Sequence, residues 1–325
     1  MAVAWLEEGL KYQLEKNDYC KKVFKMIGVL IVTLVCICFT VVTNCSNASA
    51  LGTIFGAVLG LLLPCLFHRI QDLMDTTNWE ASLRKLKRGG MIKDETPIRI
   101  SFAYLFRIKV GNKYLLVQNH RGTKKYQPVG GVYKFTDQEK KDLKNGFHVV
   151  DDNKVPIDNS SHNDYRLQLE SRFLRKFVRR FSKQTEREQI DNLGREFKEE
   201  LIDRKILNWK KIEYRYCGRH MTDLKFSDHF QMYELLLADI VELNPTEKQE
   251  SDIRELMENE SELYCFATAN EINSLGVNTQ IGVLQESIGD HTKKILQENE
   301  SKLSKMNNAG KTYSVTFLIV RDFVN

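Results

Sequence analysis

The chain has 325 residues and a formal net charge of +5, with 48 Lys and Arg set against 43 Asp and Glu. So mildly basic a balance says little alone, and no nucleic acid duplex is expected as partner. Seven cysteines without a CxxC pair or metal-ligand spacing exclude a disulfide framework and fit a reducing compartment for the bulk of the chain.

Residues 1–25 form a leader. Trp5, Leu6, Leu10 and Leu14 make an apolar stripe that either lies on a membrane interface or belongs to a frayed segment. From Met26 to Phe67 there is no Asp, Glu, Lys, Arg or His. As one helix this run would measure about 63 Å, twice the ~30 Å apolar thickness of a bilayer. It breaks at the polar stretch Asn44–Ser49, which leaves two segments, 26–43 and 50–67, each long enough for one crossing. The acidic residues Glu7, Glu8, Glu15 and Asp18, and the second apolar segment, argue against a cleaved signal peptide. Lys21, Lys22, Lys25, Arg69, Arg84 and Lys85 flank the hairpin, whereas its loop carries no charge, so both termini are expected in the cytoplasm. Gly52, Gly56 and Gly60 stack on one helical face. A two-helix anchor needs internal packing, so this face is expected against the first helix; contact between chains is the alternative.

Residues 68–97 read as a juxtamembrane helix and linker. Ile70, Leu73, Met74, Leu83 and Leu86 mark its apolar stripe, and Gly89-Gly90 ends it. Residues 98–325 read as one α/β domain. Strands are expected over Ile98–Val110 and Tyr114–Gln118, joined by a Gly111-Asn112 turn. Residues 136–183 are read as an insert: polar and partly loop to 165, then helical over Tyr165–Lys183. That helix carries Arg172, Lys176 and Arg179, which suit either a solvated face or an anionic contact. Further strands are expected at Lys211–Cys217, Phe230–Val241, Glu262–Phe266 and Tyr313–Val320. His220 and His229 are expected to face solvent between two of these strands. Thr268 should cap a short helix, with Glu271 completing the box, and Gln280–Lys302 should form a long helix.

Glu186–Asp203 reads as one helix. Within it, Glu196, Glu199 and Glu200 stand at i, i+3 and i+4 and share a face, where their repulsion would be relieved by a divalent cation such as Mg²⁺. The plain alternative is a solvated acidic face neutralised by Arg195 and Lys198.

The stretch Arg195-Glu196-Phe197-Lys198-Glu199-Glu200, preceded by Pro128-Val129-Gly130-Gly131, resembles the signature of the Nudix family. The resemblance implies an α/β/α sandwich with a mixed sheet. It also implies catalytic roles for Arg195 and Glu196, Mg²⁺ ligation by Glu196, Glu199 and Glu200, and a nucleotide ligand near Gly130 and Gly131. The family's Glu eight residues before the Arg is replaced here by Arg187, flanked by Glu186 and Glu188. Its Gly two residues after the last Glu is replaced by Ile202, and the loop between the Gly pair and the helix is far longer. Tyr126 and Tyr133 are candidates for stacking a base, and Arg172, Lys176 and Arg179 for phosphate contacts. The hairpin and this domain together resemble the membrane effectors of bacterial cyclic-oligonucleotide (CBASS) anti-phage systems. That resemblance implies a cytosolic sensor of a cyclic oligonucleotide and a homo-oligomer. Its helices would disrupt the lipid of the inner membrane and cause abortive cell death. A membrane-tethered, Mg²⁺-dependent Nudix hydrolase of a nucleoside diphosphate derivative is the alternative.

Overall fold

A computed structural model describes residues 25–43, 45–46, 49–74, 78–119, 124–154, 161–278, 282–284, 286–304, 306 and 308–317. The leader stripe at Trp5–Leu14 lies outside these residues. The chain divides into two compact units, Met1–Ala81 and Ser82–Asn325.

In the first unit, helix α1 spans Lys25–Thr43 and α2 spans Ser49–Met74. Both are long and apolar enough to cross a membrane. Their hydroxyls are satisfied within the helix: Thr33 donates to the Val29 carbonyl at 2.7 Å and Thr40 to the Cys36 carbonyl at 2.8 Å. Phe39 of α1 stacks on Phe55 of α2 with ring centroids 5.3 Å apart. Two of the three glycines on the face expected against α1 are open. A Cβ built on Gly56 or Gly60 would meet nothing within 4 Å, so these two positions do not pack against α1. Gly52, by contrast, is buried, and the stack of Phe39 on Phe55 is the aromatic contact between the two helices.

Helix α3, Asn78–Arg88, ends at the glycine pair. Gly89 N–H donates to Lys85 at 3.0 Å and Gly90, at φ +69°, to Lys87 at 3.1 Å, an αL turn that glycine makes without strain. From Ser82 onward this helix belongs to the second unit, where the Ser82 hydroxyl accepts from the Leu224 N–H at 2.9 Å.

The second unit is built on strands β1 (Pro97–Arg107), β2 (Lys109–Val110), β3 (Lys113–Gln118), β4 (Tyr126–Gln127), β5 (Gly130–Val132), β6 (Val150–Asp151) and β7 (Arg166–Glu170). Strands β8 (Lys211–Met221), β9 (Lys225–Ser227), β10 (Met232–Leu243), β11 (Tyr264–Thr268), β12 (Val277–Asn278), β13 (Val283–Leu284) and β14 (Thr312–Thr316) follow. The main sheet runs β14-β8-β10-β1-β7-β6, with β5 added to β1 and β9 to β10; a smaller sheet runs β11-β3-β2 with β4 on β3. β1 and β10 are parallel, Ile98 opposite Tyr233 through Arg107 opposite Glu242, and their other partners are antiparallel. The sheet is therefore mixed, as expected for this fold. Strand β14 finds its place beside β8, with Tyr313 opposite Tyr214.

Alternation along β1 separates two kinds of core. Phe102, Tyr104 and Phe106 point to an aromatic layer containing Tyr133, Tyr165, Phe177, Phe181 and Phe197, with edge-on contacts such as Phe102 to Phe181 at 4.8 Å. Leu105 points the other way and joins Ile240, Ala238, Tyr114, Leu116 and Ile295.

The segment read as an insert is part of the fold. Helix α4, Asp137–Phe147, is capped by Thr136, whose hydroxyl accepts from Glu139 N–H. The expected helix Tyr165–Lys183 is instead strand β7, whose alternate residues are buried, followed by helix α5 at Leu174–Lys183. Period-two burial in Arg166–Glu170 explains why strand wins there. Helix α7, Glu247–Glu258, and the five-residue α8, Ala269–Asn273, both carry capping boxes, the latter from Thr268 and Glu271 as expected. The expected long helix over Gln280–Lys302 is absent from its described residues. Two 3₁₀ segments, Asp290–Ile295 and Gln297–Lys302, occupy its second half.

Candidate functional site

The expected helix over Glu186–Asp203 is reduced to its C-terminal half. Residues before Gly194 follow an irregular path on which Gln189 Nε2 donates to the carbonyls of Gln184, Thr185 and Arg187. Helix α6, Arg195–Phe197, then widens at once into a π turn, Lys198–Ile202, closed by Asp203 N–H to the Lys198 carbonyl at 2.8 Å. π turns in helices favour functional sites. The wider turn separates the three glutamates: Glu196 is only 16% exposed at its side chain, whereas Glu199 is 53% exposed and stands at the rim.

Strand β5 meets this turn through two glycines. Gly130 has φ +150°, and a Cβ there would collide with the Tyr104 carbonyl. A Cβ on Gly131 would collide with the Glu196 carboxylate instead. The Gly130 N–H donates to a Glu200 oxygen at 2.9 Å. Arg195 ties the rest together: Nε donates to Glu188 at 2.7 Å, Nη1 to Glu196 at 2.6 Å and Nη2 to the Val132 carbonyl at 2.9 Å. Glu188 also accepts from the Lys134 N–H at 2.8 Å. The acid that serves Arg195 is thus Glu188, one residue beyond the position held by Arg187, which itself packs over Phe181 and Tyr133.

Burial pushes the Glu200 carboxyl up to about 8, with the neighbouring Glu196 and Glu199 adding to the rise against the Gly130 N–H. Burial also raises Glu196, against the pull of Arg195. Both groups are held in a place that penalises negative charge unless a cation joins them. Among the described residues no group of three or more His, Cys, Asp or Glu side chains is gathered closely enough to hold a metal unaided. Hard carboxylate oxygens nevertheless suit Mg²⁺, which takes much of its shell from water and phosphate. On donor chemistry, Glu196 and Glu200, with Glu199 at the rim, fit such an ion.

These carboxylates line a cavity of about 590 Å³. Its walls also include Ser101, Ala103 and Ala238 from the sheet, Asp164 and Arg166 from the β7 region, and His291 and Lys294 from the first 3₁₀ segment. Gly130 and Gly131 line it. Tyr126 does not: it is buried, with its hydroxyl on the Glu262 carbonyl at 3.0 Å. Tyr133 is fully buried, donating to Asp239 at 2.7 Å. Neither ring is available to stack a base. Lys176 and Arg179 lie on the exposed face of α5 and Arg172 is exposed in the turn before it, where it pairs with Glu170 at 2.7 Å. None of the three lines the cavity. Sequence reasoning left open whether Glu186 or Glu188 takes up the missing acid's register, and it missed Arg166, His291 and Lys294 as wall residues. The two last fall in a stretch whose spacing mimics a helix and gives no sign of a wall.

The chain matches the SMODS-associated NUDIX domain over residues 97–296. It belongs to that family. No curated protein and no solved structure matches it. The matched SMODS-associated NUDIX domain opens at the first residue of β1 and closes just after Lys294, so it holds both the glutamates and the 3₁₀ wall. The apolar helices α1 and α2 precede it.

Proposed function

We propose that this protein is a membrane effector of a CBASS anti-phage system. Its SMODS-associated NUDIX domain senses a cyclic oligonucleotide in the cytoplasm, and α1 and α2, crossing the bacterial inner membrane with both termini cytoplasmic, then act on the lipid to cause abortive cell death. The observation that carries this reading is the joining of two apolar helices to a SMODS-associated domain in one chain. The family's association supports a cyclic-oligonucleotide context, and the 590 Å³ cavity lies within the 300–1,000 Å³ expected of a small-molecule site. A ligand can drive the membrane helices only if it binds two states of the chain unequally, and assembly of several chains on ligand would supply such a difference. The test is dye leakage from vesicles carrying the full chain, with cyclic di- and trinucleotides added one at a time. Leakage triggered by one of them supports the reading; a silent panel in both leakage and calorimetry overturns it.

A second reading, a membrane-tethered Nudix hydrolase, is favoured by one observation. Arg195, Glu196 and Glu200 are assembled around the two glycines with Glu188 restoring the missing acid. Mg²⁺ bound there would polarise a diphosphate oxygen or lower the pKa of a bound water. Glu199→Gln and Glu200→Gln separate the readings. If toxicity disappears with turnover while nucleotide binding survives, the pure sensor is wrong.

A further inference from the structure

Helix α5 has two unlike sides. Leu174, Phe177, Val178 and Phe181 are buried, the two rings against Phe102 of β1. Lys176, Arg179 and Lys183 stand at i, i+3 and i+7 on the opposite side, and Arg172 continues their line into the turn before the helix. All four are exposed. No acid occurs between Ser171 and Thr185. Lys176, Arg179 and Lys183 make no hydrogen bond or ion pair among the described residues. The acids of neighbouring elements are engaged elsewhere. Glu139 takes Arg180 at 2.9 Å, Asp142 takes it at 3.1 Å, and Glu170 takes Arg172 at 2.7 Å. A stripe of like charge, about 11 Å from Lys176 to Lys183, is left for a partner.

This stripe begins where the chain arrives from α2. Only residues 75–77 separate α2 from α3. After α3 the Met91 N–H turns back onto the Leu86 carbonyl at 3.0 Å, and Lys87 reaches Asp94 at 2.6 Å. The same loop holds the start of α5. The Ser171 hydroxyl donates to the Lys93 carbonyl at 2.7 Å, and the Arg172 N–H donates to the Asp94 carbonyl at 3.1 Å. The last turn of α3 adds Lys85, exposed and also without a partner among the described residues. Met91 on the loop is 65% exposed. Cations beside an exposed apolar side chain suit a membrane interface, where the apolar group enters and the charges meet headgroups. Glu95, exposed on the same loop, is the acid that opposes them.

We infer that Arg172, Lys176, Arg179 and Lys183, with Lys85, dock the second unit on the anionic phospholipid headgroups of the membrane that α1 and α2 cross. This rests on the membrane part of the proposed function and not on its nucleotide. So short a tether holds the second unit near the bilayer at high effective concentration, and a modest electrostatic attraction then suffices. A nucleic acid fits less well, because the rings of Phe177 and Phe181 are buried and offer a base no platform.

The full chain is placed in nanodiscs of phosphatidylcholine alone and of phosphatidylcholine mixed with phosphatidylglycerol. It is treated with an amine-acetylating reagent and analysed by mass spectrometry. Lys176 and Lys183 are expected to react several-fold more slowly in the anionic discs, and the difference should vanish in high salt. Lys211 is the internal control. It is exposed and opens β8, whose Arg219, eight residues or about 26 Å of strand further on, donates to Ser182 of α5 at 2.9 Å. Its rate should be the same in both discs. Arg179→Glu reverses the charge between the two reporters at an exposed position, and a melting curve checks that the fold is kept. Protection of Lys176 and Lys183 in anionic discs should then be lost. Equal reaction of the two lysines in both discs overturns the inference. So does protection that extends equally to Lys211 or survives Arg179→Glu. Polyuridylate added to the neutral discs supplies phosphate from another source. Protection there that exceeds that of the anionic discs assigns the stripe to nucleic acid and overturns the lipid contact. Chain that elutes apart from the discs in gel filtration removes the membrane reading and the contact together. Chain that stays in the discs while its stripe reacts freely removes the contact alone.

Discussion

Gly130 and Gly131 are adjacent, yet they exclude a side chain for different reasons. At Gly130 the obstacle is backbone, the Tyr104 carbonyl, and φ is +150°. Gly130→Ala should therefore cost more than about 3 kcal/mol and be visible as a large fall in melting temperature. At Gly131 the obstacle is the flexible Glu196 side chain. Gly131→Ala should fold with a loss of about 1 kcal/mol but push the carboxylate aside, weakening Mg²⁺ roughly tenfold in a binding titration. The Gly pair and the Arg-Glu string were readable as residues, because their chemistry is local. The identity of the acid paired with Arg195 was not, since the chain turns irregularly between Gln184 and Gly194 and spacing there no longer measures distance. Tyr126 and Tyr133 show the same limit: an aromatic near a glycine pair looks like a platform until its burial is known. At this scale the histidines make a pH prediction. Their ordinary value is 6.5 and the fold holds His220 and His291 near 4. Above pH 6.5 neither state takes the protons. As pH falls from 6.5 toward 4 the unfolded chain takes protons that the folded chain refuses, so stability declines, and it levels off below 4. Glu200, raised from 4.5 to about 8, acts in the opposite sense as pH falls through that interval. Denaturant unfolding is therefore compared in a Glu200→Gln background, where adding His220→Asn and His291→Asn should flatten the remaining slope.

Elements declared themselves in the sequence to the degree that their burial was periodic. β1, β3, β8 and β10 alternate or run apolar, and each was expected within a few residues of where it lies. The failures are elements whose charge pattern overrode their burial. Leu167, seven residues before Leu174, continues the apolar helical spacing of α5 backward into Arg166–Glu170, but that segment pairs with β1, Ile100 opposite Leu167, and becomes strand. Gln280–Lys302 is rich in helix formers, yet Ile288, Ile295 and Leu296 are needed at separate points of one apolar cluster. Two short 3₁₀ segments meet that need where a straight helix would not. For stability, helix α5 matters for its apolar face more than for its basic one. Phe181 lies 4.9 Å from Tyr165 and 5.3 Å from Tyr133, with Arg187 over its ring at 4.0 Å. Phe181→Ala should destabilise the domain by about 3–5 kcal/mol. Lys176→Ala on the outer face should change melting temperature little, within the ±0.5 kcal/mol usual for surface positions. Differential scanning calorimetry of the two variants makes the comparison.

For the whole molecule, the two units set what can be separated and what must be kept together. Ser82 and Leu83 of α3 belong to the second unit, so a soluble fragment should begin at Asn78, where the helix starts, not at the linker after Gly90. The fragment 78–325 should fold without lipid and retain the ligand affinity of the full chain, while causing no leakage. Output is then expected to depend on α1 and α2, and the open position Gly56 supplies the decisive variant. A Cβ at Gly56 meets nothing within 4 Å among the described residues, so a side chain there has room to start, and Gly56→Leu is expected to leave the stack of Phe39 on Phe55 in place. Membrane helices associate through close backbone approach at small residues, and a leucine at the centre of such a face holds two helices apart. If chains assemble through Gly52, Gly56 and Gly60, Gly56→Leu should insert and bind ligand as the parent does, yet release no dye from ligand-treated vesicles. Leakage at the parent's rate would remove the glycine face from the output step and leave assembly to the second unit.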